Sequence, residues 1–182
     1  MQTVDFKVFQ EPALNPKGRV VALKLPKGAQ LSRKEIDGLT EYVARFGAKG
    51  LAYIKINDLS LGVAGLQSPI LKFLPDEVVL SILERVKAES GDMVFFGADK
   101  AKVVNESMGA LRIKLGKDYD LISEGWEPLW IVDWPMFEFN DKTQRWDAAH
   151  HPFTAPVNPS VDDLKADPEG ALARAYDFVL NG

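Results

Sequence analysis

The chain has 182 residues, 46% hydrophobic and 26% charged, with a formal net charge of −4, enough for one large domain with a sizeable core or one domain and part of another. The acidic balance excludes wholesale coating of nucleic acid, though not a local basic patch, and the lack of cysteine excludes disulfides, thiolate zinc sites and cysteine nucleophiles. No apolar run approaches the roughly 20 residues of a membrane span, and MQTVDFKVFQ lacks the basic start and apolar stretch of a signal peptide.

In chain order, Phe6 to Phe9 predicts a short strand closed by Pro12, Asn15, Pro16 and Gly18. Arg19 to Leu25, RVVALKL, predicts a second. Ser32-Arg-Lys-Glu35 is a capping box, and Ile36, Leu39, Val43 and Phe46 follow at helical spacing up to a stop at Gly47. Leu51 to Ile56 is a third strand, and Gly62, Gly65 and Pro69 mark a loop. Pro75 and Asp76 open a second helix with Val78, Val79, Ile82, Leu83 and Val86 inward. Ser90-Gly91-Asp92 breaks it before a short buried strand, Met93 to Phe96. The first hundred residues thus predict a compact α+β unit.

Beyond it, Val104, Met108, Leu111 and Leu115 give an apolar stripe to a helix from about Asp99 to Leu115. Glu127 to Phe139, EPLWIVDWPMFEF, predicts a strand interrupted at Pro135, which requires an edge or a bulge there. The turn Asn140-Asp141-Lys142-Thr143 returns it as a hairpin through Gln144 to Ala148. Asp167-Pro168-Glu169 supplies a cap, a first-turn proline and an acid for a last helix. Ala171, Leu172, Ala175, Tyr176, Val179 and Leu180 are its apolar side and Asn181-Gly182 its C-cap. A helix ending on the final residue suggests that more sequence naturally follows.

Both histidines of the chain, His150 and His151, stand together in AHHPFTAP. Imidazole can donate to a carboxylate, accept from an ammonium group or take a proton near neutral pH, and a proline-bounded loop holds its shape while able to open. On spacing alone two readings stand: a loop that reads a small charged ligand, or an exposed loop with two incidental histidines. Metal binding is disfavoured, because neighbouring side chains on extended backbone point opposite ways. Asp133 and Glu138 are an odd number of residues apart and face opposite sides unless Pro135 shifts the register, so paired acid–base work is not expected. Gly97-Ala98-Asp99-Lys100 stands where a phosphate-binding turn would, without the spaced glycines of one, and reads as a domain junction. Trp126, Trp130, Trp134 and Trp146 lack interleaved arginines and are expected to pack a hairpin core rather than stack bases. Lys100, Lys102, Arg112, Lys114 and Lys117 scatter around a helix, as on a solvated face.

Several stretches resemble a known family. FKVFQ…NPKGRVVALKLP, FGAKGLAYIKIND and GLQSPILKFL are similar to the insertion (GAD) domain of bacterial-type aspartyl-tRNA synthetase. FFGADKAKVVNESMGALRIKLG, WIVDWPMFEF, HHPFTAP and AYDFVLNG are similar to the same enzyme's returning catalytic core. The resemblance implies a GAD insertion domain over 1–98, a mixed or antiparallel sheet with flanking helices. Over 99–182 it implies part of the class II antiparallel-sheet core, between the second and third class motifs. It implies a cytoplasmic homodimer that uses ATP and Mg2+ to turn L-aspartate into aspartyl-adenylate and passes the aspartyl group to the 3′ end of tRNA(Asp), with tRNA(Asn) left open. The anticodon-binding barrel, the first two class motifs and the third-motif arginine have no counterpart here. The chain is therefore expected to be a piece of that enzyme, inactive alone and binding no cofactor tightly. By the same resemblance His150 contributes to binding aspartate and His151 is its neighbour in a mobile loop. No catalytic, ATP-binding or metal-binding residue is carried over. A second class of function stays open, a free-standing insertion-type module that binds RNA or protein without chemistry. The tryptophan-rich hairpin and the HHPFTAP loop, which a mere module does not need, argue for the enzyme.

Overall fold

The computed structural model describes residues 4–140 and 142–181, which form two compact units, one ending at Ile122 and one beginning at Ser123. In the first unit, four antiparallel strands stand in the order β1 (Gly18–Leu25), β4 (Met93–Lys100), β2 (Ala52–Ile56) and β3 (Leu66–Gln67). The central strand β4 explains the two-sided core. Met93 and Phe95 point to one face and Val94 and Phe96 to the other, all buried, so the strand is apolar without alternation. The face of Met93 and Phe95 is covered by α2 (Arg33–Ala44) and α4 (Ala101–Asp118) through Ile36, Leu39, Val43, Val104, Met108, Leu111 and Leu115. The opposite face takes α1 (Lys7–Leu14) and α3 (Asp76–Arg85) through Phe9, Val79 and Leu83.

The capping box forms as expected. Glu35 N–H donates to Ser32 Oγ at 3.3 Å and the Ser32 amide donates to Glu35 Oε2 at 2.8 Å. The Glu35 carboxyl is held below its ordinary range first by the Ser32 hydroxyl, which donates to Oε2 at 2.6 Å, and then by the Ser32 amide. Gly47 follows α2 with φ +87°, a left-handed position suited to glycine.

Two expectations in this unit are corrected. The segment around Phe6–Phe9 is not a strand: the Phe6 carbonyl accepts from both Phe9 and Gln10 amides at 2.9 Å and starts α1. A helical turn puts Phe6 and Phe9 side by side, where Phe6 stacks on Phe73 and Phe9 meets Phe96. Tertiary aromatic packing overrides the short apolar run and tolerates Pro12 inside the helix. The strand expected to stop at Phe96 runs on to Lys100, because all eight residues of β1 pair with it, from Gly18 opposite Lys100 to Leu25 opposite Met93. Helix α4 packs on this sheet, so the packing unit continues past residue 98, where the resemblance changes, to Ile122.

The second unit departs further from expectation. The long strand divides: β5 (Pro128–Ile131) pairs with β8 (Asp177–Leu180), while β6 (Phe137–Asn140) and β7 (Arg145–Ala148) form the expected hairpin. The division falls at Asp133, whose φ of +59° no strand can carry. The last helix does not form. Asp167 Oδ1 accepts from the Gly170 amide at 3.0 Å, as a cap would, but after one turn the chain enters bridges at Leu172 and Ala173 and then β8. Tyr176 and Phe178 alternate toward Trp130, and strand pairing wins over a stripe that fits either period. Asn181 instead ties the chain back, accepting from the Glu127 amide and donating to the Gly125 carbonyl; Gly182, the other half of the expected C-cap, lies outside the described residues. A helix that the periodicity did not signal, α5 (Val161–Ala166), starts at Ser160, whose hydroxyl accepts from the Asp163 amide. Among the described residues no helix is long and apolar enough to cross a membrane.

Candidate functional site

The two histidines sit at the end of β7, beside a small backbone lattice that the sequence did not reveal. Residues 134–136 lie between two other segments. On one side Met136 N–H donates to Ala171 O and Ala173 N–H to Trp134 O, both at 2.8 Å. On the other, Ala149 N–H donates to Met136 O at 3.1 Å. The lattice extends outward where Val157 N–H donates to Leu172 O at 2.8 Å and Arg174 N–H to Ala155 O at 2.9 Å. Ala171 and Ala173 are buried at its centre. Pro135 fits because it makes only an isolated bridge, to Leu172.

This frame brings His150 against Trp134. The half-buried rings meet edge to face, centroids 5.6 Å apart. His150 Nε2 and Trp134 Nε1 are both buried, and neither has a hydrogen-bond partner. A buried unpartnered polar atom costs roughly 1–3 kcal/mol, so two together mark a place where a ligand group or water would restore what is missing. His151 differs. It is exposed, its ring lies 4.8 Å from Phe153, and its Nδ1 accepts the Phe153 amide at 3.3 Å. Its visible part is to shape the loop tip.

The remaining candidates lie elsewhere. Asp133 occupies the left-handed position before Trp134 and Glu138 lies in β6 opposite Asp147; both are exposed, and among the described residues no bond joins them. Gly97 and Asp99 are interior to β4 rather than in a turn; Asp99 pairs with Lys49 at 3.3 Å. Its carboxyl is held below the usual range chiefly by the Lys100 amide, with Lys49 adding to the effect. Lys114 pairs with Asp118 at 2.7 Å and lies over the Tyr42 ring, while Lys100, Lys102, Arg112 and Lys117 are exposed.

The tryptophans do not pack a hairpin core as expected. Trp126 is 80% and Trp130 60% exposed, and Trp146 meets Phe139 edge to face across the hairpin. The cause is that β5 pairs with β8 instead of with the hairpin, so the aromatic run is shared between two small sheets. Trp134 is the functional candidate missed from sequence. No pattern separated it from the other three, since an unpartnered indole N–H is a property of packing alone. Among the described residues no group of three or more His, Asp and Glu side chains could hold a metal ion.

An antiparallel sheet covered on both faces by helices, with β4 inside it, defines the first unit as an α+β module, and residues 9–108 match the family model described as the GAD domain. The match spans more than half the chain, which belongs to the GAD domain family. The whole sequence is similar to longer proteins. It is 60% identical over 178 residues to the aspartate–tRNA(Asp/Asn) ligase of Legionella pneumophila strain Corby. It is equally similar to that of Legionella pneumophila subsp. pneumophila strain Philadelphia 1. These alignments cover 98% of this chain and 30% of each relative, so the chain spans about 30% of the length of the curated relatives it matches.

Proposed function

We propose that this chain is part of an aspartate–tRNA ligase, with a GAD insertion module followed by a stretch of a class II catalytic core. The enzyme joins L-aspartate to ATP, giving aspartyl-adenylate and pyrophosphate, then passes the aspartyl group to the 3′ end of tRNA(Asp). The observation that carries this reading is the 60% identity over 98% of the chain. The double acceptor in the relatives' name supports tRNA(Asn) as a second acceptor. On this reading the enzyme is a cytoplasmic homodimer, and its ATP, Mg2+ and most aspartate contacts come from other parts of the protein.

Within the chain, His150 binds the aspartate carboxylate. Its orphaned Nε2 in a partly dry setting supports that role, because a charge-assisted hydrogen bond is stronger than a neutral one and stronger still away from water. Such a bond also favours aspartate over its uncharged relative. The test is His150→Ala in the full-length protein. Aspartate-dependent ATP–pyrophosphate exchange should show a KM for aspartate raised about tenfold or more, with a smaller change for ATP. Unchanged aspartate kinetics would retire the role of His150. A full-length protein with no exchange activity at all would favour the alternative, a binding module without catalysis.

A further inference from the structure

Among the described residues only two buried side-chain nitrogens or oxygens lack a hydrogen-bond partner, and they belong to rings in contact, Trp134 and His150. The indole N–H can only donate, so nothing but an acceptor can satisfy it. Imidazole Nε2 donates whenever it carries its proton. We propose that Trp134 is a specificity-determining residue of the same site, its Nε1–H acting with His150 Nε2–H as a two-donor pair that takes a ligand carboxylate and refuses the corresponding carboxamide. The inference rests on the reading that His150 binds aspartate. A carboxylate offers two acceptor oxygens and no donor, one for each nitrogen. The carboxamide of asparagine turns an NH2 toward one of them, so two donors face each other and a buried N–H stays unpaired. A site that leaves polar groups unpaired with the wrong ligand discriminates strongly against it.

The geometry gives the two nitrogens unequal freedom. Trp134 is anchored by its own carbonyl to Ala173 and through its neighbour Met136 to Ala171 and Ala149. His150 heads a loop whose tip, among the described residues, makes its backbone bonds within itself, Thr154 N–H to His151 O at 2.8 Å and Phe153 N–H to His151 Nδ1 at 3.3 Å. Phe153 at that tip is 92% exposed. A rigid donor beside a movable one lets a ligand enter as the loop shifts and then find the fixed indole waiting.

The test uses the full-length protein that contains this chain, with L-aspartate and L-asparagine as probes. In a nitrogen-15 tryptophan-labelled sample, the indole cross-peak absent from Trp134→Phe should move on addition of L-aspartate and stay still with L-asparagine. Trp134→Phe keeps the ring contact and should raise the KM for aspartate about five- to tenfold, leave the KM for ATP unchanged, and narrow the preference for aspartate over asparagine. A merely structural role would weaken both amino acids alike. Should Trp134→Phe fail to fold, Trp134→Tyr assigns the cross-peak and the wild-type spectrum decides. A cross-peak unmoved by saturating aspartate overturns the inference. So does an unchanged KM in Trp134→Phe when His150→Ala raises it. If neither variant changes aspartate use, the role of His150 falls as well.

Discussion

Ala173 donates its amide proton to the carbonyl of Trp134 across 2.8 Å, joining the last part of the chain to the aromatic segment that faces His150. Ala173→Pro removes that donor from the inside of the lattice and should cost on the order of 2–3 kcal/mol. Hydrogen exchange is expected to speed up at the amides of Met136 and Ala149, which belong to the same lattice, and to stay slow along β4. Protection retained at Met136 would show that the lattice does not depend on this bond.

Gly97 of β4 lies under Met108 and Val104 of α4, with no room for a methyl group. Both neighbours are buried, so an added Cβ must displace packed side chains. Gly97→Ala should destabilise the first unit by about 1–3 kcal/mol. Urea unfolding should show a lower midpoint at an unchanged slope. An unaltered midpoint would mean that Met108 moves aside freely.

Ser32→Ala removes a cap worth about 1 kcal/mol, and its effect should depend on pH. The Glu35 carboxyl is held below its ordinary value of 4.5 mainly by the Ser32 hydroxyl. A depressed folded-state pKa contributes stability that is present above the unfolded value and lost as pH falls through the lowered one. The difference in thermal stability between wild type and Ser32→Ala should be full above about pH 5 and narrow on further acidification to the part contributed by the backbone cap. A difference that does not change with pH would assign the whole effect to the backbone cap.

The 182-residue chain by itself should show no aspartate-dependent ATP–pyrophosphate exchange and charge no tRNA. It spans 30% of the ligases it resembles, and on the proposed reading the groups that hold ATP are in the remainder. Exchange by the purified chain would contradict that division.

What the sequence determined by itself is mostly local. The Ser32–Glu35 box, the stripe from Ile36 to Val43, the apolar run at Met93 and the hairpin turn after Phe139 each encode their structure within a few residues, because capping, periodicity and turn chemistry are short-range. The loop holding His150 was also legible, through its prolines and its concentration of the chain's histidine. Tertiary structure decided the rest. Phe9 became helical, with Phe6 capping the helix, because Phe73 and Phe96 receive the two rings. The stripe from Ala171 to Leu180 became bridges and a strand because Trp134, Met136 and β5 offered backbone partners far away in sequence. An apolar pattern that suits two periods is settled only by what it packs against. The orphaned pair of nitrogens is decided in the same way, since whether a donor finds an acceptor depends on every segment that folds around it.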